Sequence, residues 1–191
     1  MDLLSTTFQG LSGMANIHPL FVHFPIALLN SFFLTELLGV LLKKEEIRIA
    51  ATWMLYLGTL GALATVLTGL WAAGTVTHSE EVHGIMAKHR NFGITVLILG
   101  TVLSIWRIIT HGKFSVKGQV LHLVTAFIMI TTLVFGADLG GLMVYKYGVA
   151  VKAAPQPDGH HVHEKGHELE DGNGRDDKGK LNNTQQGPHD L

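Results

Sequence analysis

Long apolar stretches alternate with short polar ones along this chain of 191 residues. A helix needs about 20 mostly apolar residues to cross a bilayer. Four stretches meet that requirement, and they run over residues 19–42, 49–71, 89–106 and 118–145. The pattern therefore predicts an all-α fold, a four-helix transmembrane bundle.

The segments outside these spans differ in composition from the spans. Residues 1–16 lack the positively charged start of a secretory signal peptide, so the first span is predicted to be retained. Residues 152–191 are acidic and His-rich with very few large apolar side chains, which predicts a disordered C-terminal tail. We therefore expect an N-terminal extracytoplasmic segment (1–16), a membrane domain (17–151) and a tail (152–191).

Composition supports an integral membrane protein. Hydrophobic residues make up 47% of the chain and charged residues 15%, whereas a soluble domain carries about 25% charge. The absence of Cys excludes disulfides, thiolate metal sites and covalent c-type haem. A net charge of −1 without a long basic patch predicts no nucleic-acid partner, so the expected contact surface is the lipid bilayer.

The distribution of positive charge predicts an orientation. Six positive residues lie in the two short turns: Lys43, Lys44, Arg48, Arg107, Lys113 and Lys117. Four lie near the spans on the opposite side: Lys88, Arg90, Lys146 and Lys152. The excess favours cytoplasmic turns and places both termini outside. Arg90 and Arg107 are predicted to extend the third span by reaching the two membrane surfaces.

Histidines at one end of the spans are the strongest candidates for chemistry, because an ionisable side chain in a membrane is costly without a partner. His23 lies inside the first span, and His89 opens the third at a comparable depth. Facing each other across the bundle, they can ligate a b-type haem. His18, five residues before His23, is a further candidate ligand at the same end.

Two other hypotheses use the same residues. His18, His23, His89 and Asp138 can bind zinc or copper, with the tail histidines His160, His161, His163 and His167 collecting ions. Alternatively, the role is structural, so that the imidazoles bond to carbonyls and Asp138 pairs with one of them or with Arg90.

A second polar level lies toward the opposite end of the spans. Glu36 and His122 are expected to approach each other there and shield a buried charge. The chain contains no phosphate-binding glycine loop and no nucleophile elbow, so no reaction is predicted and a non-catalytic role is favoured. No internal repeat is strong enough to use.

Several motifs resemble one bacterial membrane family. They are Ile17-His18-Pro19, Val22-His23-Phe24-Pro25-Ile26-Ala27-Leu28-Leu29, Thr68-Gly69, Lys88-His89-Arg90, Leu139-Gly140-Gly141-Leu142-Met143-Val144-Tyr145 and Tyr147-Gly148-Val149-Ala150-Val151. Over residues 15–151 the chain is similar to the family catalogued as domain of unknown function 2231. The resemblance implies a four-helix membrane domain without an established reaction, often encoded near respiratory or redox genes.

The signature histidines of that family correspond to His18, His23 and His89. Family members often carry an acidic residue soon after the Thr-Gly of the second span, where this chain has Leu70-Trp71-Ala72; Asp138 is the candidate substitute. The favoured hypothesis is a non-catalytic redox subunit of the bacterial inner membrane, holding one b-type haem and serving a periplasmic or respiratory redox partner. The alternatives are a metal-handling protein and a structural accessory subunit of a respiratory complex.

Overall fold

A computed structural model describes residues 16–75 and 80–151, together with Thr7 and Met14. Its four helices are α1 (His18–Leu42), α2 (Glu45–Ala73), α3 (Glu80–Ile109) and α4 (Val116–Tyr145). All four are long and apolar enough to cross a membrane. The predicted four-helix transmembrane fold is confirmed, and the predicted tail lies outside the described residues.

Local sequence explains where α1 begins and ends. The Asn16 side chain accepts a hydrogen bond from the His18 backbone N–H at 3.1 Å. Pro19 lies in the first turn, where its missing N–H is no loss. At the other end Lys43 is left-handed (φ 56°), which lets the Lys44 N–H donate to the Gly39 carbonyl and close the final turn.

The start of α3 differs from the prediction. The helix begins at Glu80, so the expected polar connection before residue 89 is helical from that point. Polarity did not prevent a helix, because Glu80 and Glu81 occupy the first turn, where the helix dipole favours carboxylates. Val82 in the same turn is buried, and the Tyr147 hydroxyl donates to Glu81 at 2.8 Å.

Consecutive helices form two hairpins, since the α1–α2 and α3–α4 contacts are the most extensive. α2 also packs on α3, while α1 and α4 touch least. Within the described residues the backbones of diagonally opposite helices do not approach each other closely, so the diagonal contacts are made by side chains. The core is narrow, and its fully buried apolar side chains include Leu29, Phe32, Leu55, Leu103 and Met129. Most other apolar side chains face outward, as lipid contact requires.

The second hairpin repeats the first at a spacing of 71 residues, as from His18 to His89. Eight of the ten buried helical positions of the first hairpin have a buried counterpart in this register: Pro25/Val96, Leu29/Gly100, Phe32/Leu103, Glu36/Arg107, Ala51/His122, Leu55/Ala126, Gly58/Met129 and Ala72/Met143. Since α1 and α3 run in the same direction, the equivalence indicates an approximate twofold axis along the bundle.

The two halves of the repeat have very low sequence identity. Between residues 18–74 and 89–145 only four aligned positions are identical: His18/His89, Phe21/Phe92, Leu28/Leu99 and Gly69/Gly140. The halves therefore share burial far more than residue identity. Two of the four identities lie in the site described below.

Large and small residues exchange places between the halves. A Cβ added to Gly58 would lie 2.6 Å from Leu29 Cδ2, so the glycine makes room for Leu29. In the second hairpin Gly100 stands at the position of Leu29, and Met129 at that of Gly58. In each hairpin one large side chain fills this space. It comes from the first helix in one hairpin (Leu29) and from the second helix in the other (Met129).

We expect Gly58→Met to lower the melting temperature of the detergent-solubilised protein, because overpacking a core costs about 1–3 kcal/mol. The double variant Leu29→Gly/Gly58→Met reproduces the second hairpin's arrangement and should recover part of that loss. Leu57→Met, on an exposed position of the same helix, serves as the control. A double variant no more stable than Gly58→Met would contradict the equivalence.

Candidate functional site

Two histidines meet on the bundle axis at the end where α1 begins. His18 lies in the first turn of α1 and His89 in α3, on diagonally opposite helices. Their ring centroids are 6.2 Å apart and the ring planes are nearly perpendicular, at 87°. Both residues are half-buried. Because the two positions are equivalent in the repeat, they can meet only near the axis.

Each ring is oriented by a backbone carbonyl of its own hairpin. His18 Nδ1 donates to the Thr65 carbonyl at 3.1 Å, and His89 Nδ1 donates to the Gly136 carbonyl at 2.8 Å. Both hydrogen bonds span 47 residues. A carbonyl can only accept, so the proton of each neutral ring belongs on Nδ1 and the lone pair on Nε2. Within the described residues neither Nε2 has a hydrogen-bond partner.

Each ring also lies against a glycine. A Cβ on Gly69 would lie 2.9 Å from His18 Cε1, and one on Gly140 would lie 3.2 Å from His89 Cε1. Any larger residue at Gly69 would therefore displace the imidazole. The half-site, consisting of a histidine, a carbonyl and a glycine, occurs once in each hairpin.

The other predicted residues of this end face away from the pair. His23 is exposed, and its Nδ1 donates to the Pro19 carbonyl of its own helix at 2.8 Å. Asp138 is exposed on α4, between Gly136, whose carbonyl accepts from His89, and Gly140, which lies against the His89 ring. Among the described residues it forms no ion pair with a histidine or with Arg90. The structure thus brings His18, rather than His23, to His89.

In the described part of the chain, no three His, Asp or Glu side chains lie close enough to hold a metal ion. His18, His23, His89 and Asp138 are therefore not gathered into one cluster. The tail histidines lie outside the described residues, so ion collection by His160, His161, His163 and His167 stays a prediction. The carbonyl bonds expected under a structural role are present.

A buried ion pair occupies the axis at the other end. Glu36 and Arg107, which are equivalent in the repeat, approach to 2.9 Å between Oε2 and Nη1, and their side chains are 0% and 2% exposed. Arg107 Nε also donates to Thr52 Oγ1 at 2.8 Å. The prediction that Arg107 reaches the membrane surface is therefore wrong, because its guanidinium compensates a carboxylate inside the bundle.

Arg48 and Gln119, a second equivalent pair, complete this cluster. Arg48 Nη2 donates to Gln119 Oε1 at 3.0 Å, and Gln119 Nε2 donates to Glu36 Oε1 at 3.1 Å. Arg48 Nε lies 3.5 Å from the same carboxylate oxygen. Glu36 is thus shielded by two guanidiniums and an amide, not by His122 as expected.

His122 lies in an aromatic enclosure beside this cluster. Its ring centroid is 4.8 Å from that of Phe114, 5.7 Å from Trp106 and 6.1 Å from Phe32. The residue is fully buried, and neither ring nitrogen has a hydrogen-bond partner within the described residues. The imidazole therefore contributes packing, without a polar contact to the ion pair.

Sequence reasoning identified Glu36 but missed Arg48, Thr52, Arg107 and Gln119 as its surroundings. The available signal was the spacing of 71 residues, which relates Glu36 to Arg107 as it relates His18 to His89. Because the two halves share only four identical residues, this spacing becomes evident only from the pattern of buried positions.

Four apolar helices around an axial histidine pair define a multi-pass integral membrane protein. A family model described as DUF2231, predicted membrane protein, matches residues 14–153. The chain belongs to this family, and the resemblance noted in its motifs is confirmed. No curated protein and no solved structure matches the chain.

The ion pair yields a direct test of stability. Removing one partner of a buried pair leaves an uncompensated charge and costs about 3–5 kcal/mol, so Glu36→Gln should strongly lower the melting temperature in detergent. Glu45→Gln is the matched control, because Glu45 pairs with the same Arg48 at 3.3 Å but is 68% exposed. Equal melting temperatures for the two variants would show that Glu36 is not buried with its partners.

Proposed function

We propose that this protein is a non-catalytic membrane redox subunit that holds one b-type haem between His18 and His89. The observation that carries the proposal is the duplicated half-site, in which each hairpin supplies one imidazole fixed by a carbonyl and seated on a glycine. A bis-histidine haem transfers single electrons. His18 replaces His23 as the partner of His89.

The number of ligands favours haem over a bare ion. A haem supplies four nitrogens of its own and takes its axial ligands from the protein, whereas zinc sites require three or four protein ligands. Two metal–imidazole bonds of about 2 Å each place two ring centroids about 6 Å apart when the ion lies between them. The separation of 6.2 Å agrees with that value.

The surroundings suit ligand histidines. Donation from Nδ1 to a carbonyl fixes the ring orientation and raises the basicity of Nε2. Gly69 and Gly140 leave room for each ring. The apolar core beyond the pair, including Leu29 and Phe32, separates this end from the ion cluster. These features hold both imidazoles in place for metal ligation through Nε2.

The charge distribution supports an orientation for this subunit. Apart from Arg107, which is buried against Glu36, five positive residues lie in or beside the two turns and four lie near the other face, which favours a topology with both termini extracytoplasmic. In a bacterial inner membrane the histidine pair then lies toward the periplasmic side. An electron partner would approach there, as a periplasmic redox protein or a neighbouring respiratory subunit.

The test is an absorption spectrum of the purified protein from cells supplied with haem precursor, before and after dithionite. The expected result is a Soret band that shifts on reduction, with one iron per chain. His18→Ala and His89→Ala should lose it, since each removes an axial ligand. His23→Ala, on the exposed side of the same helix as His18, is the matched control and should keep it.

Thermal unfolding of each variant separates loss of haem from loss of fold. His18→Met retains a ligand, so it should shift the band and raise the reduction potential, which a purely structural histidine would not do. A featureless spectrum despite supplied haem would overturn the proposal. Stoichiometric zinc or copper would then favour metal handling, and no metal would favour a structural subunit.

A further inference from the structure

A cleft of about 400 Å³ lies between the start of α2 and the end of α3, next to the ion cluster. Its lining residues are Glu45, Ile49, Thr52, Trp53, Tyr56, Arg107, Ile108, His111 and Gly112. The volume is in the range of small-molecule sites. The cleft lies at the end of the bundle that carries the two basic turns.

The lining residues offer mainly hydrogen-bond donors. Arg107 is 3% exposed. Its contacts with Thr52, with Glu36 and with the Arg48 carbonyl, which accepts from Nη2 at 3.0 Å, occupy only part of its five N–H groups. Within the described residues, the Tyr56 hydroxyl, the Trp53 indole and the His111 ring have no hydrogen-bond partner. The one carboxylate, Glu45, is paired with Arg48. The cleft therefore suits a ligand with acceptor oxygens and negative charge.

The repeat supplies an internal comparison. At 71 residues' spacing, the surface between α4 and α1 carries Val116, Leu123, Val124, Phe127 and Val40 where the cleft has Glu45, Thr52, Trp53, Tyr56 and His111. The fold thus builds this surface twice, and only one copy carries these polar groups. Thr52 and Glu45 have contacts with the ion cluster. Trp53, Tyr56 and His111 have no hydrogen-bond partner within the described residues, and a bound ligand would account for their polar groups.

We propose that this cleft binds the phosphate-bearing head group of an anionic phospholipid. Charge complementarity supports a lipid, because Lys43, Lys44 and Lys113 lie in the adjoining turns, Lys117 lies at the start of α4, and such lysines attract anionic head groups. The cleft also has an apolar flank, in which Ile49, Trp53 and Ile108 are each more than half exposed. That flank accommodates the acyl chains while Arg107, Tyr56 and His111 bind the phosphate oxygens.

Native mass spectrometry of the full chain in detergent, titrated with phosphatidylglycerol, tests the site. The variant is Tyr56→Phe/His111→Asn, since Asn tolerates the left-handed backbone of His111 (φ 50°). We expect it to weaken lipid binding at least about tenfold, the effect of losing a hydrogen bond to a charged group. The matched control, Phe127→Leu/Val40→Ala at the equivalent positions, should bind as the wild type does.

Further measurements decide the source and the specificity. Phosphatidylcholine should bind more weakly than phosphatidylglycerol, and inorganic phosphate should not displace the lipid. Wild-type affinity in the cleft variant, equal loss in the control, equal binding of phosphatidylcholine or displacement by phosphate would each overturn the proposal. If the double variant unfolds, His111→Asn alone, at an exposed turn, provides the same comparison.

Discussion

The buried ion pair between Glu36 and Arg107 joins the two hairpins at a depth where either charge would be unfavourable without the other. An unpaired charge in a membrane interior is expensive, so each side chain needs the one that the other hairpin supplies. This requirement fixes the level of α1 against α3, because a slip of one turn would separate the charges by about 5 Å. The same register places His18 at the level of His89. That histidine pair lies about 27 Å along the bundle from the ion pair.

The four spans were predictable because length and apolar content alone decide whether a helix can cross a bilayer. The inward face of α1 was also available from the sequence. His18 lies on the same stripe as Pro25, Leu29 and Phe32, at intervals of seven, eleven and fourteen residues, all of which follow the helical period. Depth in the span favoured His23, yet the side of the helix decides which histidine faces the bundle.

Other parts of the site carry no signal that a single sequence reveals. The acceptors at Thr65 and Gly136 are backbone carbonyls, so their positions follow from helix packing and not from residue type. Arg107 at the end of an apolar stretch has the usual pattern of a residue at the membrane surface. Only the equivalence with Glu36 shows why it lies inside. The sequence did not predict the start of α3 because its charged first turn has the composition of a loop. In the helix, those carboxylates are stabilised by the helix dipole.

The duplication gives the axial ion pair a role in choosing partners. If two copies of the first hairpin associated, Glu36 would face Glu36, and two copies of the second would bring Arg107 against Arg107. Like charges enclosed in a membrane repel strongly, so either self-association is disfavoured, while the mixed pairing joins opposite charges. One residue in each half thus gives the two hairpins opposite charges at equivalent positions, although their backbones are similar. During assembly in the membrane, this difference in charge favours association of each hairpin with the other hairpin over association with a second copy of itself.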